Sequence, residues 1–119
     1  MLNFISKRIK SIGYAFKGIL LLVTTEASIK VQLLIAVLVT IAGFYFKISA
    51  TEWMLQTITI ALIVSIEGLN TAVEKIADFI HPDFNNKIGF IKDIAAGAVF
   101  VSAFAAVIVG CLIYLPKIF

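Results

Sequence analysis

The beginning of the chain repeats apolar side chains with the period of an α-helix. These apolar residues recur at steps of three or four, and lysines lie on the opposite side of the same helix. The pattern predicts an amphipathic helix over about residues 3–24 that lies in a membrane interface, with its lysines toward head groups and water. The apolar set is Ile5, Ile9, Ile12, Phe16, Ile19 and Val23.

Three long apolar runs follow, each close to the ~20 residues that cross a bilayer as a helix. The predicted spans cover about residues 29–47, 53–80 and 92–115. A short polar turn at 48–52 separates the first two. Pro82 and the asparagines after it place a loop before the third span, and Pro116 is expected to end that span, because proline donates no helical hydrogen bond. The sequence predicts one all-α membrane domain over residues 1–119.

The amino-acid composition is typical of a membrane protein rather than of a soluble domain. Of its 119 residues, 61% are hydrophobic and 14% are charged, whereas soluble domains have about 45–50% and about 25%. A chain this short cannot bury so much apolar surface. Its single cysteine, Cys111, excludes an internal disulfide. The modest net charge of +3 gives no reason to expect a nucleic-acid partner.

Basic residues predict the orientation of the spans. Lysine and arginine accumulate on the cytoplasmic side of membrane proteins. We therefore expect the N-terminal helix and the second loop in the cytoplasm, and the first loop and the C-terminus outside. The basic residues before the first span and around the second loop are Lys7, Arg8, Lys10, Lys17, Lys30, Lys75, Lys87 and Lys92.

Acidic and amide side chains occupy one face of the second predicted span. Glu67 and Glu74 are seven residues apart, which puts both carboxylates on one face, about 10 Å apart along the axis. Asn70, Thr71 and Asp78 fall close to the same face. We call these five residues the acidic stripe. Ionised carboxylates are costly in hydrocarbon, so by default we interpret this stripe as a candidate functional site.

Spacing alone leaves three roles open for the acidic stripe. Carboxylates that hold Mg²⁺, with a lysine on phosphate and a buried base for an alcohol, are the parts of phosphoryl transfer. Intramembrane carboxylates also line cation or proton pathways. A third role is structural pairing between helices, for instance of Glu74 with Lys75 or Lys92. The chain has no Walker-type glycine loop and no protein-kinase signature.

Two motifs of the chain are Glu67-x-x-Asn70-Thr71-Ala72-x-Glu74-x-x-x-Asp78 and Lys92-Asp93-x-Ala95-x-Gly97-Ala98-Val99. Both resemble motifs of the prokaryotic diacylglycerol kinase family. Residues Gly13–Gly18 and Glu26 also match this family, so the resemblance covers nearly the whole chain. The Asn70-Thr71-Ala72 triplet, the second motif and the Leu115-Pro116-Lys117 ending are more similar to the undecaprenol kinase branch.

The resemblance implies a homotrimer in the bacterial cytoplasmic membrane, with active sites shared between subunits at the cytoplasmic boundary. It implies ATP- and Mg²⁺-dependent transfer of the γ-phosphate to a lipid alcohol, either undecaprenol or, as the alternative, diacylglycerol. A carboxylate-lined cation or proton conduit is the non-enzyme alternative.

The resemblance also assigns roles by position. Glu67 would be the general base, and Asn70, Lys92 and Asp93 would be further catalytic residues. Glu26 and Glu74 would hold the metal ions. The side chains implied to bind the nucleotide are Lys7, Lys10, Tyr14, Lys17, Glu26, Glu74, Asp78 and Lys92. One departure is Lys7, which stands where the diacylglycerol branch has an arginine.

Overall fold

The computed structural model describes all 119 residues, and these form four α-helices. The helices are α1 (Leu2–Thr25), α2 (Ala27–Phe46), α3 (Ala50–Ile80) and α4 (Asn86–Ile118). Helices α2, α3 and α4 are long and apolar enough to cross a membrane. The predicted fold class, three membrane spans after an amphipathic N-terminal helix, is confirmed.

A single residue, Glu26, separates α1 from α2. Its backbone is extended (φ −106°, ψ 115°), although its N–H still bonds to the Leu22 carbonyl. No residue of α1 is buried. The chain measures 50 × 48 × 22 Å, and the second dimension far exceeds the width of three packed helices, each about 10–12 Å across. Helix α1, about 36 Å long, therefore projects sideways from the bundle, as a helix on a membrane surface must.

The link between α2 and α3 is shorter than the polar turn predicted at 48–52. Helix α3 begins at Ala50 because Ser49 and Glu52 form a capping box, in which each side chain accepts a hydrogen bond from the other residue's backbone N–H. Lys47 turns the chain in the left-handed region (φ 52°). Trp53 then packs against Gly43, where a Cβ atom would lie 2.6 Å from the indole ring.

Helix α4 is longer at both ends than the predicted third span. The Asn85 side chain accepts a hydrogen bond from the Lys87 N–H (2.8 Å), and this cap starts the helix at Asn86. The prediction that Pro116 ends the helix is wrong, because α4 continues to Ile118. Pro116 lies in the last turn, where its missing N–H removes one backbone hydrogen bond. Lys117 Nζ donates to the Ile113 carbonyl (3.0 Å) at the same turn.

The bundle is apolar outside and partly polar inside. Only 10 of 119 residues are buried, and half of those are polar or charged. The radius of gyration is 17.9 Å, whereas a compact soluble domain of this length would have about 13–14 Å. Such an arrangement suits a chain whose outer surface meets lipid or other subunits. The buried polar residues are Gln56, Glu67, Asn70, Thr71 and Ser102.

At the end of the bundle away from α1, polar contacts join all three spans. The Tyr114 hydroxyl of α4 lies 2.9 Å from the Val39 carbonyl of α2 and 2.5 Å from the Gln56 side chain of α3. Lys117 forms an ion pair with Glu52 at 2.7 Å. Next to these contacts, an apolar cavity of about 130 Å³ lies between α2, α3 and α4.

Candidate active site at the acidic stripe

Glu67 is the most deeply placed carboxylate of the acidic stripe. Its residue is 8% exposed, although it lies on a helix that is apolar enough to cross a membrane. Glu67 Oε1 accepts a hydrogen bond from Ser28 Oγ of α2 at 2.7 Å. Its other oxygen, Oε2, accepts no hydrogen bond within the chain. The carboxylate is thus held on one side and open on the other.

Asn70 and Glu74 continue the stripe one and two turns along α3. Asn70 Nδ2 donates to Glu74 Oε1 at 3.3 Å. Asn70 is 9% exposed, and its Oδ1 is buried without a partner. A buried amide oxygen needs a donor or a cation, because leaving it unpaired costs free energy. The stripe therefore offers an unfilled acceptor beside a carboxylate.

Asp78 is the last residue of the stripe, at its exposed end, and it contacts Lys92 of the neighbouring helix. Lys92 of α4 forms an ion pair with Asp78, and the two side chains are 36% and 57% exposed. Glu74 forms no ion pair, so the structural pairing considered for Glu74 with Lys75 or Lys92 is not found. Asp93, next to Lys92, is exposed.

A cleft of about 620 Å³ lies between α1 and α3 and ends at Glu26. This volume falls in the range of small-molecule sites. Thr71 of the stripe and Lys75 line its α3 wall. At Gly68 a Cβ atom would lie 3.1 Å from Leu22, so glycine lets α1 approach α3 closely. Of the stripe, Thr71 alone lines this cleft, so the cleft places the expected metal ligand Glu26 beside the edge of the stripe.

The four residues of α1 expected to bind the nucleotide lie outside this cleft in a single chain. All four side chains are exposed, and none lines the cleft wall. They remain free to contact a ligand or a second subunit. They are Lys7, Lys10, Tyr14 and Lys17.

The donor chemistry of the site suits Mg²⁺. The Glu26 and Glu74 carboxylates and the unpaired Asn70 Oδ1 are hard oxygen ligands, and proteins usually hold Mg²⁺ with one or two carboxylates together with phosphates and water. No group of three or more acidic, histidine or cysteine side chains that would hold a metal is gathered in one chain. The residues present fit a metal bound jointly with a polyphosphate.

Two residues near the site were not predicted from the sequence. Ser28 contacts Glu67, and Lys75 lines the cleft rather than pairing with Glu74. The sequence places Ser28 two residues after Glu26, at the start of the first span, and this position could have indicated that Ser28 lies near the site. For Lys75, the feature of the sequence that could have indicated a position near the site is that it directly follows Glu74.

Sequence comparisons agree with the motifs. Residues 13–114 match the family described as prokaryotic diacylglycerol kinase. The chain is 37% identical to the undecaprenol kinase of Bacillus subtilis (strain 168) over 116 residues, which cover 98% of this chain and 94% of the relative. It is 31% identical over 109 residues to the diacylglycerol kinase of Synechocystis sp. (91% and 62% covered). It is 27% identical over 105 residues to that of Escherichia coli K12 (88% and 86% covered).

Proposed function

The chain belongs to the prokaryotic diacylglycerol kinase family and is a membrane lipid kinase, and we propose that it transfers the γ-phosphate of ATP to undecaprenol. Family membership selects phosphoryl transfer among the three roles that spacing left open. The observation that carries the mechanism is the Glu67 carboxylate, buried in a membrane helix with one oxygen free. Undecaprenol is preferred over diacylglycerol because the 37% identical relative is named an undecaprenol kinase.

Glu67 acts as the general base in this proposal. Its free Oε2 takes the proton of the lipid hydroxyl while the hydroxyl oxygen bonds to the γ-phosphorus. The bond from that phosphorus to the bridging oxygen breaks, so that ADP leaves and a lipid phosphate remains.

Glu26 and Glu74 would hold Mg²⁺, which would neutralise phosphate charge there. Asn70 fixes the Glu74 carboxylate through its Nδ2, and its free Oδ1 is available to a donor or cation. The role of these residues is positioning and charge neutralisation, which supply most of the catalysis in phosphoryl transfer.

Lys92 contacts a phosphate in this proposal. Asp78 holds its ammonium at the exposed end of the stripe, and Asp93 supports the same turn of α4. The remaining nucleotide contacts come from α1, through Lys7, Lys10, Tyr14 and Lys17.

We further infer a homotrimer with active sites shared between subunits. Two observations support it. The four α1 residues are exposed and do not line their own chain's cleft, so a neighbouring site can receive them. Small residues also run along the first half of the third span from Ala95 to Ala106, and such stretches allow membrane helices to pack closely.

The proposed location is the bacterial cytoplasmic membrane, with α1 and the α3–α4 loop on the cytoplasmic side. Lysines cluster on α1 and on the helix ends that flank this loop, where they are Lys75, Lys87 and Lys92, as they do at cytoplasmic segments. This orientation places the stripe's exposed end in the compartment that contains ATP.

The experiment offers undecaprenol and diacylglycerol side by side to the purified protein in detergent, with labelled ATP and Mg²⁺. We expect preferential labelling of undecaprenol and none when Mg²⁺ is chelated. Preferential labelling of diacylglycerol would overturn undecaprenol as the acceptor but would still agree with lipid-kinase activity. Labelling of neither lipid alcohol would overturn the proposed reaction.

A further inference from the structure

Ser28 uses its hydroxyl differently from the other serines and threonines that donate from within helices. Six of these donate to a carbonyl three or four residues earlier in their own helix: Ser11, Thr24, Thr25, Thr40, Thr59 and Ser102. Ser28 donates instead to Glu67 Oε1, on another helix. The residue four positions before it is Thr24, which lies in α1 beyond the extended Glu26. The break at Glu26 therefore leaves the Ser28 hydroxyl free to reach α3.

The Ser28–Glu67 bond fixes the start of α2 against α3. The other hydrogen bond between these two helices runs from Gln56 Nε2 to the Val39 carbonyl, at the opposite end of the bundle. Next to Ser28, Ile29 is 1% exposed and is the most deeply buried side chain of the chain. This corner is thus held by one buried apolar side chain and by one bond to the proposed base.

We propose that Ser28 is a positioning residue for Glu67 in phosphoryl transfer, an inference that rests on the proposed function. By donating to Oε1, Ser28 fixes the carboxylate plane and leaves Oε2 facing the lipid hydroxyl. Ser28 keeps its own proton, and the proton of the lipid hydroxyl passes to Oε2 as the new oxygen–phosphorus bond forms. Because Ser28 follows Glu26 by two residues, the same bond sets the position of a proposed metal ligand relative to the base.

The test compares Ser28→Ala, Ser28→Thr and the control Thr40→Ala, whose hydroxyl bonds only to its own helix. We expect Ser28→Ala to lower kcat about tenfold, with KM for ATP and undecaprenol changed by less than about twofold. Ser28→Thr keeps the hydroxyl, and since Ser28 is exposed its extra methyl has room. Its kcat should lie within about twofold of wild type, as should that of Thr40→Ala. Thermal unfolding of Ser28→Thr and Thr40→Ala should match that of wild type, and Ser28→Ala should unfold at a slightly lower temperature because the bond to Glu67 is lost. The kcat values are therefore compared at a temperature at which all four proteins are folded.

A second arm tests whether Ser28 acts through Glu67. In a Glu67→Asp background the shortened side chain withdraws the carboxylate from Ser28, so adding Ser28→Ala should slow the enzyme by less than about twofold further. A full tenfold further loss would mean that Ser28 acts elsewhere and would overturn the inference.

The inference and the proposed function fail in different ways. A wild-type protein that phosphorylates no lipid alcohol would overturn the proposed function. An active wild type with Ser28→Ala unchanged in kcat, or with Ser28→Thr as slow as Ser28→Ala, would overturn the role of Ser28 alone.

Discussion

Lys92 Nζ of α4 lies 2.5 Å from Asp78 Oδ1 of α3, at the exposed end of the acidic stripe. The two side chains are 36% and 57% exposed, and ion pairs this accessible to solvent stabilise a fold by only ~0–1 kcal/mol. Stability therefore gives little reason for the pair. Its consequence is that a lysine from α4 is held within reach of a ligand at the stripe.

Lys92→Ala should damage the reaction more than the fold. We expect kcat/KM for ATP to fall about a hundredfold, since one charge-assisted phosphate contact is lost, while the free energy of unfolding changes by less than about 1 kcal/mol. Asp78→Asn, the matched control, keeps the lysine and should lose less than about tenfold in kcat/KM. Steady-state kinetics measure kcat/KM for ATP, and thermal unfolding in detergent measures the stability of each variant. Equal losses of activity and stability in both variants would make the pair structural.

Lys117→Ala should weaken the opposite end of the bundle without affecting phosphate transfer. Lys117 bonds to Glu52 and to the Ile113 carbonyl, and Glu52 also caps α3 through Ser49. Without Lys117, α3 and α4 lose their ion pair at this end. We expect the melting temperature, followed by circular dichroism, to fall by a few degrees, with kcat of the folded protein unchanged. A loss of kcat at constant melting temperature would contradict this separation.

Gly43→Ala should destabilise the α2–α3 corner through steric overlap. A Cβ at position 43 would lie 2.6 Å from Trp53 Cη2 and 2.9 Å from Cζ2, and overpacking of this kind costs about 1–3 kcal/mol. Gly110→Ala is the matched control, because a methyl group there would have no atom within 4 Å. Chemical denaturation in detergent should show Gly43→Ala less stable and Gly110→Ala at least as stable as wild type. Equal stability of the two variants would mean that Trp53 moves aside freely.

The proposed orientation predicts which loops react with a membrane-impermeant thiol reagent. The only native thiol is Cys111, so a Cys111→Ala background allows single cysteines to be placed. In intact cells Lys47→Cys should be labelled, because the α2–α3 link faces outward. Asn86→Cys should be labelled only after lysis. The reverse pattern would invert the membrane topology and separate the stripe from cytoplasmic ATP.

Sequence periodicity was enough to predict the helices and the acidic stripe. Seven-residue spacing alone placed Glu67 and Glu74 on one face, and the length of the apolar runs gave three spans. The end of α4 was missed, since proline in a last turn removes only one hydrogen bond. The Ser28–Glu67 contact was missed as well, because it depends on how α2 is rotated after the break at Glu26. The rotation of one helix against another is set by tertiary packing, and the periodicity of residues within a single helix gives no information about it.

The most direct test of the whole account is phosphate transfer from labelled ATP to undecaprenol by purified wild type and Glu67→Gln. Glutamine keeps the shape of Glu67 and can still accept a hydrogen bond from Ser28, but it cannot take a proton from the lipid hydroxyl. The predicted result is a fall in kcat of about a thousandfold, with ATP affinity and thermal unfolding unchanged. A Glu67→Gln protein that transfers phosphate within tenfold of the wild-type rate would contradict Glu67 as the base.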